Sequence, residues 1–263
     1  MNDLLAAALL GLIQGITEFL PISSTAHLAL AEKALRLDPA RYGLSFTVAL
    51  HMGTLLAVLL YYSRVWVGLI TDLLRGRFVL PLQLAIATVP AVIAALVFGD
   101  LIAGPLREPL SIAAGLVVGS GVILIAERLA TDRRETTTLG DAAAVGVAQA
   151  LALIPGMSRS GLTISMGLAR GLRRAEATRL SFLLSTPAVF GAGLKTALEA
   201  RKAPAVFDHP DALVVGFLVS FVSGLAAIAF LVRFLRGHSL AWFVPYRLAL
   251  AAVIVAAIAA GAL

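Results

Sequence analysis

Five apolar runs of membrane-crossing length, residues 46–62, 82–98, 110–126, 213–232 and 243–263, restrict the folds open to this chain more than any other feature. Backbone in hydrocarbon must satisfy its own hydrogen bonds, which leaves helices or a closed barrel. The runs are rich in Ala and Leu and do not alternate, so helices are expected. Composition agrees: 60% of the 263 residues are hydrophobic and 14% charged, against about 25% charged in a soluble domain. Mean hydropathy is +0.95. The sequence contains no cysteine, which excludes disulfide and thiol chemistry. The N-terminal MNDLL lacks a basic n-region and a cleavage site, so it is expected to be mature structure. The net charge of +6 comes from arginines in short loops and reads as a topology signal, with no nucleic-acid partner expected.

Two other regions are apolar but interrupted. Residues 4–20 run into Pro21 and restart over 24–37, while residues 142–154 run into Pro155 and restart over 160–171. A helix that meets a proline after a dozen or so residues and then restarts reads as a re-entrant hairpin with its tip inside the protein. An offset of 134 residues lays Pro21 on Pro155 and Ser24 on Ser158, and a slightly longer one lays Leu44-Ser45-Phe46 on Leu180-Ser181-Phe182. The expected architecture is therefore a single membrane domain over 1–263. It is an inverted repeat of two halves, about 1–130 and 140–263, each a re-entrant helix hairpin plus three transmembrane helices. Three crossings per half is an odd number, so the second half must be inverted, and paired broken helices point to a midplane binding site. The side carrying Arg64, Arg75, Arg77, Arg128, Arg133, Arg134, Arg170, Arg173, Arg174, Arg233 and Arg236 is more basic than the side carrying Arg36, Arg41, Arg107, Arg201 and Lys202. That places the arginine-rich side in the cytoplasm and the termini, with the mouth of the first hairpin, outside.

Each interruption carries a polar island. The first, GLIQGITEFLPISSTAH, sets Gln14, Glu18, Ser23, Ser24, Thr25 and His27 among apolar residues; the second, PGMSRSGLT, sets Arg159 between Ser158 and Ser160. Ionisable groups at membrane depth are costly and mark working sites by default. Acid, hydroxyls and imidazole in one island, with guanidinium and hydroxyls in the other, fit a phosphorylated lipid. Gln14 and Glu18 share a helix face and offer hard oxygens to a divalent cation such as Mg²⁺ or Ca²⁺, the alternative being an interhelical hydrogen bond. Ser23 or Ser24 suits an N-cap, and a helix N-terminus itself favours phosphate. Ser24 and His27 are three apart, which allows a hydroxyl nucleophile beside an imidazole base. Arg159 needs an anion, either Glu18 or a phosphate gripped by two parallel hydrogen bonds. Ser158 and Ser160 add hydroxyls, and Gly156 and Gly161 let backbone approach the ligand. His51 begins a span after the first hairpin and reads as support for the site; His209 and His238 read as loop residues. Gly11 and Gly15 form a GxxxG packing signal.

The first island resembles the (E/Q)xxxE and P-x-S-S-T-x-H signature of the bacterial undecaprenyl-diphosphate phosphatases of the BacA/UppP type, and PGMSRSG resembles that family's PGxSRSG element. The likeness covers essentially the whole chain. It implies hydrolysis of undecaprenyl diphosphate to undecaprenyl phosphate and inorganic phosphate in the bacterial inner membrane, recycling the carrier for cell-wall synthesis. It also implies divalent-cation dependence and an association with bacitracin resistance. By position, the family's acidic motif falls on Gln14 and Glu18, its hydroxyls on Ser23, Ser24 and Thr25, its histidine on His27 and its arginine on Arg159. Gln14 departs from the glutamate of many members, and Ala26 from a common glycine. The partners this implies are the polyprenyl diphosphate substrate and membrane lipids; a homodimer is compatible with the sequence, which does not fix the oligomeric state.

For mechanism, a cation at Glu18 and Gln14, together with Arg159, would neutralise the diphosphate, with Ser24 as nucleophile and His27 moving the proton. His27 as nucleophile, or as activator of water, is the rival. The competing class is a flippase or transporter of a polyprenyl phosphate lipid, since broken helices in inverted repeats are also a carrier architecture.

Overall fold

The computed structural model describes residues 2–199 and 210–262; Arg201, Lys202 and His209 lie outside them. Among the described residues the chain is helical throughout, with no β-strand and one isolated bridge between Arg134 and Leu172. The first interrupted region forms α1 (Asp3–Phe19) and α2 (Ser24–Ala34). Asn2 caps α1 by accepting from the Leu4 amide at 3.0 Å, and Asp3 in the first turn suits the positive end of the helix dipole. The helix ends because Leu20 precedes a proline and is extended, at φ −68° and ψ 144°.

After the short α3 (Pro39–Tyr42), α4 (Leu44–Tyr61) and α5 (Ser63–Leu74) form one apolar path bent by 74°. The sequence suggests a span over 46–62; the chain turns sharply at Tyr62 and continues as α5. Then follow α6 (Val79–Val97), the short α7 (Gly99–Ala103) and α8 (Pro109–Leu129). The second interrupted region forms α9 (Leu139–Leu151) and α10 (Arg159–Ala169), and the chain closes with α11 (Arg174–Glu199), α12 (Pro210–Phe234) and α13 (Val244–Ala259). Among the described residues four segments are long and apolar enough to cross a membrane: Val79–Val97, Pro109–Leu129, Pro210–Phe234 and Leu240–Ala259. With 26 residues, α11 has comparable length but begins with several charged residues.

Packing relies on close backbone approach, because lipid offers helices no hydrophobic reward for meeting. α1 lies along α12, α12 along α4, α6 along α9, and α8 along α13. A Cβ on Gly11 would collide with the backbone of Gly216, and one on Gly15 with the backbone of Ser220 and Gly224, so the GxxxG pair opens the α1–α12 seam. The largest apolar cluster draws on both ends of the chain, with Phe19, Val58, Ile123, Ile164, Phe182 and Leu231 all buried in it.

Ion pairs fix the mouth of the second hairpin. Arg134 grips Asp141 with two bonds of 2.8 and 2.9 Å, Arg170 adds a third at 2.9 Å, and Thr138 with Asp141 forms a capping box on α9. Burial works against ionisation of Asp141, but the hydrogen bonds from Arg134, Thr138 and Arg170 outweigh it and hold its carboxyl well below the usual range. At the mouth of the first hairpin, Arg41 pairs with Asp3 at 2.8 Å.

Candidate active site

Both hairpin tips turn through a serine in the positive-φ region, Ser23 at φ 72° and Ser158 at φ 73°. Each caps the helix that follows: Ser23 Oγ accepts from the Ala26 amide at 3.4 Å and Ser158 Oγ from the Gly161 amide at 3.2 Å. This leaves the next residue, Ser24 in one tip and Arg159 in the other, free to project from the first turn of its helix. Gly156, at φ +91°, lets the second tip close on α8, where a Cβ would collide with the Ile112 carbonyl.

The two projected residues meet at Glu18, which is 8% exposed. Its Oε1 accepts from Arg159 Nη2 at 2.5 Å. Its Oε2 accepts from Ser24 Oγ at 2.8 Å and from Gln14 Nε2 at 3.1 Å, and lies 3.4 Å from His51 Nε2. Arg159 is steadied from behind by the Ser181 carbonyl, 3.2 Å from Nη1. Glu18, Ser23, Ser24, Thr25, His51, Ser158 and Arg159 line a cavity of about 290 Å³ walled by Thr47, Val48, Ala188 and Val189. Guanidinium, carboxylate and hydroxyl therefore converge on one small polar chamber inside an apolar protein.

Other expected residues stand elsewhere. His27 does not bond Ser24, contrary to the expected serine–imidazole pair, because both of its ring nitrogens are engaged. Nδ1 donates to the Ser23 carbonyl at 2.8 Å and Nε2 accepts from the Tyr246 hydroxyl at 2.6 Å. Ser24 turns to Glu18 instead. Ser160 does not line the cavity; it is buried, and its hydroxyl donates to the Leu20 carbonyl at 3.1 Å, stitching the second tip to the first. Gln14 lies behind Glu18, wholly buried. The register used to compare the hairpins also changes: the matched serines are Ser23 and Ser158, an offset of 135, so Ser24 corresponds to Arg159 and not to Ser158.

One buried residue lies outside both polar islands of the sequence. Arg247 is wholly buried, and no acid pairs with it among the described residues. Its guanidinium donates to the carbonyls of Pro21 at 2.9 Å, Gly156 at 3.0 Å, Met157 at 3.2 Å and Leu116 at 3.1 Å, and to Ser120 Oγ at 3.0 Å. One guanidinium thus binds both tips. A lone arginine inside the last apolar run was the available signal, by the cost of such a residue in lipid. His51, expected to support the site, touches the key carboxylate directly, with Nε2 3.4 Å from Glu18 Oε2.

The donor set suits a hard cation in part. Among the described residues no three His, Cys, Asp or Glu side chains gather as a metal site. Gln14 Oε1, however, is buried with no hydrogen-bond partner, although its amide nitrogen already touches Glu18. An orphaned carboxamide oxygen beside a carboxylate fits a cation whose remaining ligands come from phosphate, the usual arrangement for Mg²⁺.

Fold and site together define a multi-pass helical membrane protein with an acid–hydroxyl–guanidinium centre built where two broken helices meet. A family model described as "Bacitracin resistance protein BacA" matches residues 7–253, and the chain belongs to this family. It is 42% identical to an undecaprenyl-diphosphatase of Thermodesulfovibrio yellowstonii over 97% of both chains. Identity is again 42% to an undecaprenyl-diphosphatase of Rubrobacter xylanophilus, over 97% of this chain and 98% of that one. It is 41% to one of Mycobacterium ulcerans, over 96% and 95%.

Proposed function

We propose that this chain is an undecaprenyl-diphosphate phosphatase of the bacterial cytoplasmic membrane. It releases inorganic phosphate and returns undecaprenyl phosphate to envelope synthesis. The observation that carries the reading is Glu18, whose two oxygens hold the Ser24 hydroxyl and the Arg159 guanidinium at 2.8 and 2.5 Å on one cavity.

In this reading Arg159 turns from Glu18 to the entering diphosphate, which offers it better-matched oxygens for a two-bond grip. Ser24 Oγ bonds to the terminal phosphorus while Glu18 Oε2, already its hydrogen-bond acceptor, takes the proton. The bond from that phosphorus to the bridging oxygen breaks, and undecaprenyl phosphate leaves with the electron pair and the proton from Glu18. Water then cleaves the phosphoserine, giving inorganic phosphate and restoring Ser24. His27 holds the Ser23 carbonyl, and through it the turn that aims Ser24. A divalent cation at Glu18 and Gln14 would supply further neutralisation of the diphosphate.

The halves are inverted relative to one another in this reading. The end carrying Arg134, Arg170 and Arg174 faces the cytoplasm, and the end carrying Asp3 and Arg41 faces outside.

Phosphate release from undecaprenyl diphosphate by the purified protein in detergent tests the proposal, because a flippase has no two sides to serve there. Wild type should release phosphate and Ser24→Ala should not. A protein that binds the lipid diphosphate without hydrolysing it would sink the enzyme reading, and an active Ser24→Ala beside an inactive His27→Ala would transfer the nucleophile to histidine.

A further inference from the structure

The catalytic chamber has two kinds of wall. Glu18, Ser24 and Arg159 face it from the tips, while Val48, Leu153, Val189 and Ala192 close it with apolar groups that suit the prenyl end of a lipid. The lipid product keeps its tail in hydrocarbon. The freed phosphate cannot follow it, because an ionised group at membrane depth is costly. It needs a wet path of its own.

One wall offers such a path. Thr47 lines the chamber, and its hydroxyl donates to Glu32 Oε1 at 3.3 Å. Glu32 lines a second cavity, of about 480 Å³, together with Lys33, Arg36, Asp38, Arg107 and Glu108. Tyr42, also in its wall, donates to Asp3 at 3.0 Å, which sets this cavity at the mouth of the first hairpin. Lys33, Arg36 and Glu108 are exposed, so the second cavity meets water. The Thr47–Glu32 contact therefore stands between the chamber and the outside of the molecule.

That contact is built to part. At 3.3 Å it is long for two oxygens, which prefer about 2.7–2.8 Å, and Arg107 lies near enough to attract the Glu32 carboxylate as it swings away. The cavity beyond balances Lys33, Arg36 and Arg107 against Glu32, Asp38 and Glu108, so it holds cations for an anion without forming a deep trap. Passage needs binding favourable enough to enter and weak enough to leave.

We propose that this second cavity is the way out for inorganic phosphate, and that the Thr47–Glu32 contact is the partition it crosses. The inference rests on the phosphatase reading and adds to it the route of the small product. Lys33, Arg36 and Arg107 receive the anion as Glu32 moves aside, while undecaprenyl phosphate withdraws through the apolar wall.

The chain contains no cysteine, so one introduced at Ala103, exposed in the wall of the second cavity, is the only thiol. The full-length Ala103→Cys protein in detergent is modified to completion with a bulky neutral maleimide and given undecaprenyl diphosphate. Rapid quenching reads the undecaprenyl phosphate formed in the first turnover, and steady-state phosphate release reads the later ones. Labelling should leave the first turnover at the rate of the unlabelled protein and slow steady-state release by at least ~10-fold, since product departure becomes limiting. Leu74→Cys, 84% exposed at the end of α5, carries the same label and should show neither change. Ala29→Cys, in the wall of the same cavity, is the second variant should Ala103→Cys fail to fold. Steady-state release undiminished by complete labelling overturns the exit route. So does a first turnover that slows in step with the steady state, because the label then disturbs binding or chemistry. Either result beside an active wild type keeps the phosphatase and removes the exit, whereas a wild type that releases no phosphate removes both.

Discussion

At the first tip the chain turns through Ser23 at φ 72°, ψ 97°, and at the second through Ser158 at φ 73°, ψ 111°. Each serine caps an 11-residue helix through the amide three residues on. The likeness extends backwards: at the same offset of 135, Ala7 falls on Ala142, Gly11 on Gly146 and Gln14 on Gln149. Both glutamines are buried, and both keep an unpartnered Oε1. The side chains then diverge. Glu18 corresponds to Leu153, Ser24 to Arg159, and His27 to Leu162. One backbone device, used twice, delivers an acid and a hydroxyl from one side and a guanidinium from the other. A single hairpin holds only half of a charge-neutralising centre, so the chemistry belongs to the meeting of the tips.

Ser24→Ala breaks the comparison most severely, because the first tip keeps its turn and loses its chemistry. Turnover should fall by at least ~10³-fold, the scale seen when a nucleophile is removed, while lipid diphosphate still binds. Phosphate release against substrate binding in one preparation checks it, and parallel losses in both would make Ser24 a binding residue. Arg159→Lys comes next. The charge stays and the forked geometry goes, so activity should drop by ~10²-fold, about 2.7 kcal/mol of transition-state stabilisation. Full activity with lysine would mean that position 159 supplies charge alone.

Arg247→Met removes the group that binds the tips together. Hydrogen bonds from a charged donor contribute about 1.5–3 kcal/mol each and their carbonyl acceptors would be left buried, so thermal unfolding should come at least ~5 °C lower. Activity should fall with it, since a misplacement of ~1 Å at a reacting centre costs ~10²-fold. Lower stability with undiminished turnover would show that Glu18 and Arg159 hold the tips without Arg247. Tyr246→Phe is milder: one neutral hydrogen bond to His27 is lost, about 1 kcal/mol, and turnover should fall a few-fold. An unchanged rate would separate His27's orientation from catalysis.

Much of this was legible in the sequence because lipid makes polar residues conspicuous. The apolar runs at 82–98, 110–126 and 213–232 became α6, α8 and α12, and Pro21 and Pro155 marked both breaks. Glu18, Ser24 and Arg159 stood out because nothing apolar explains them. The bend at Tyr62 left no mark, since no proline or glycine stands there to signal it. Anchoring the hairpins on their prolines put the register out by one, and hid the match of Gln14 with Gln149. Ser24 and His27 share a spacing that allows contact, but spacing is blind to competitors, and Glu18 and Tyr246 each offered a nearer partner. His51 read only as support for the site, because its direct contact with Glu18 is set by how α4 packs on α1. Arg247 was passed over inside an apolar run, although its depth deserved the same reasoning as Arg159.

The smallest expected effect tests the shared backbone itself. Positive φ costs a serine roughly 1–2 kcal/mol that glycine does not incur, whereas replacing a serine cap by glycine loses only about a few tenths of a kcal/mol. Ser23→Gly and Ser158→Gly should therefore raise the unfolding temperature by about 2–4 °C. Alanine keeps the strain and loses the cap, so Ser23→Ala and Ser158→Ala should each fall below the matching glycine variant. If the tips are one device used twice, the gap between glycine and alanine will be the same size at both. A gap at one tip and none at the other would mean that the matching φ angles are held there by different forces, His27 against the Ser23 carbonyl in the first tip and the Ser160 contact with Leu20 in the second.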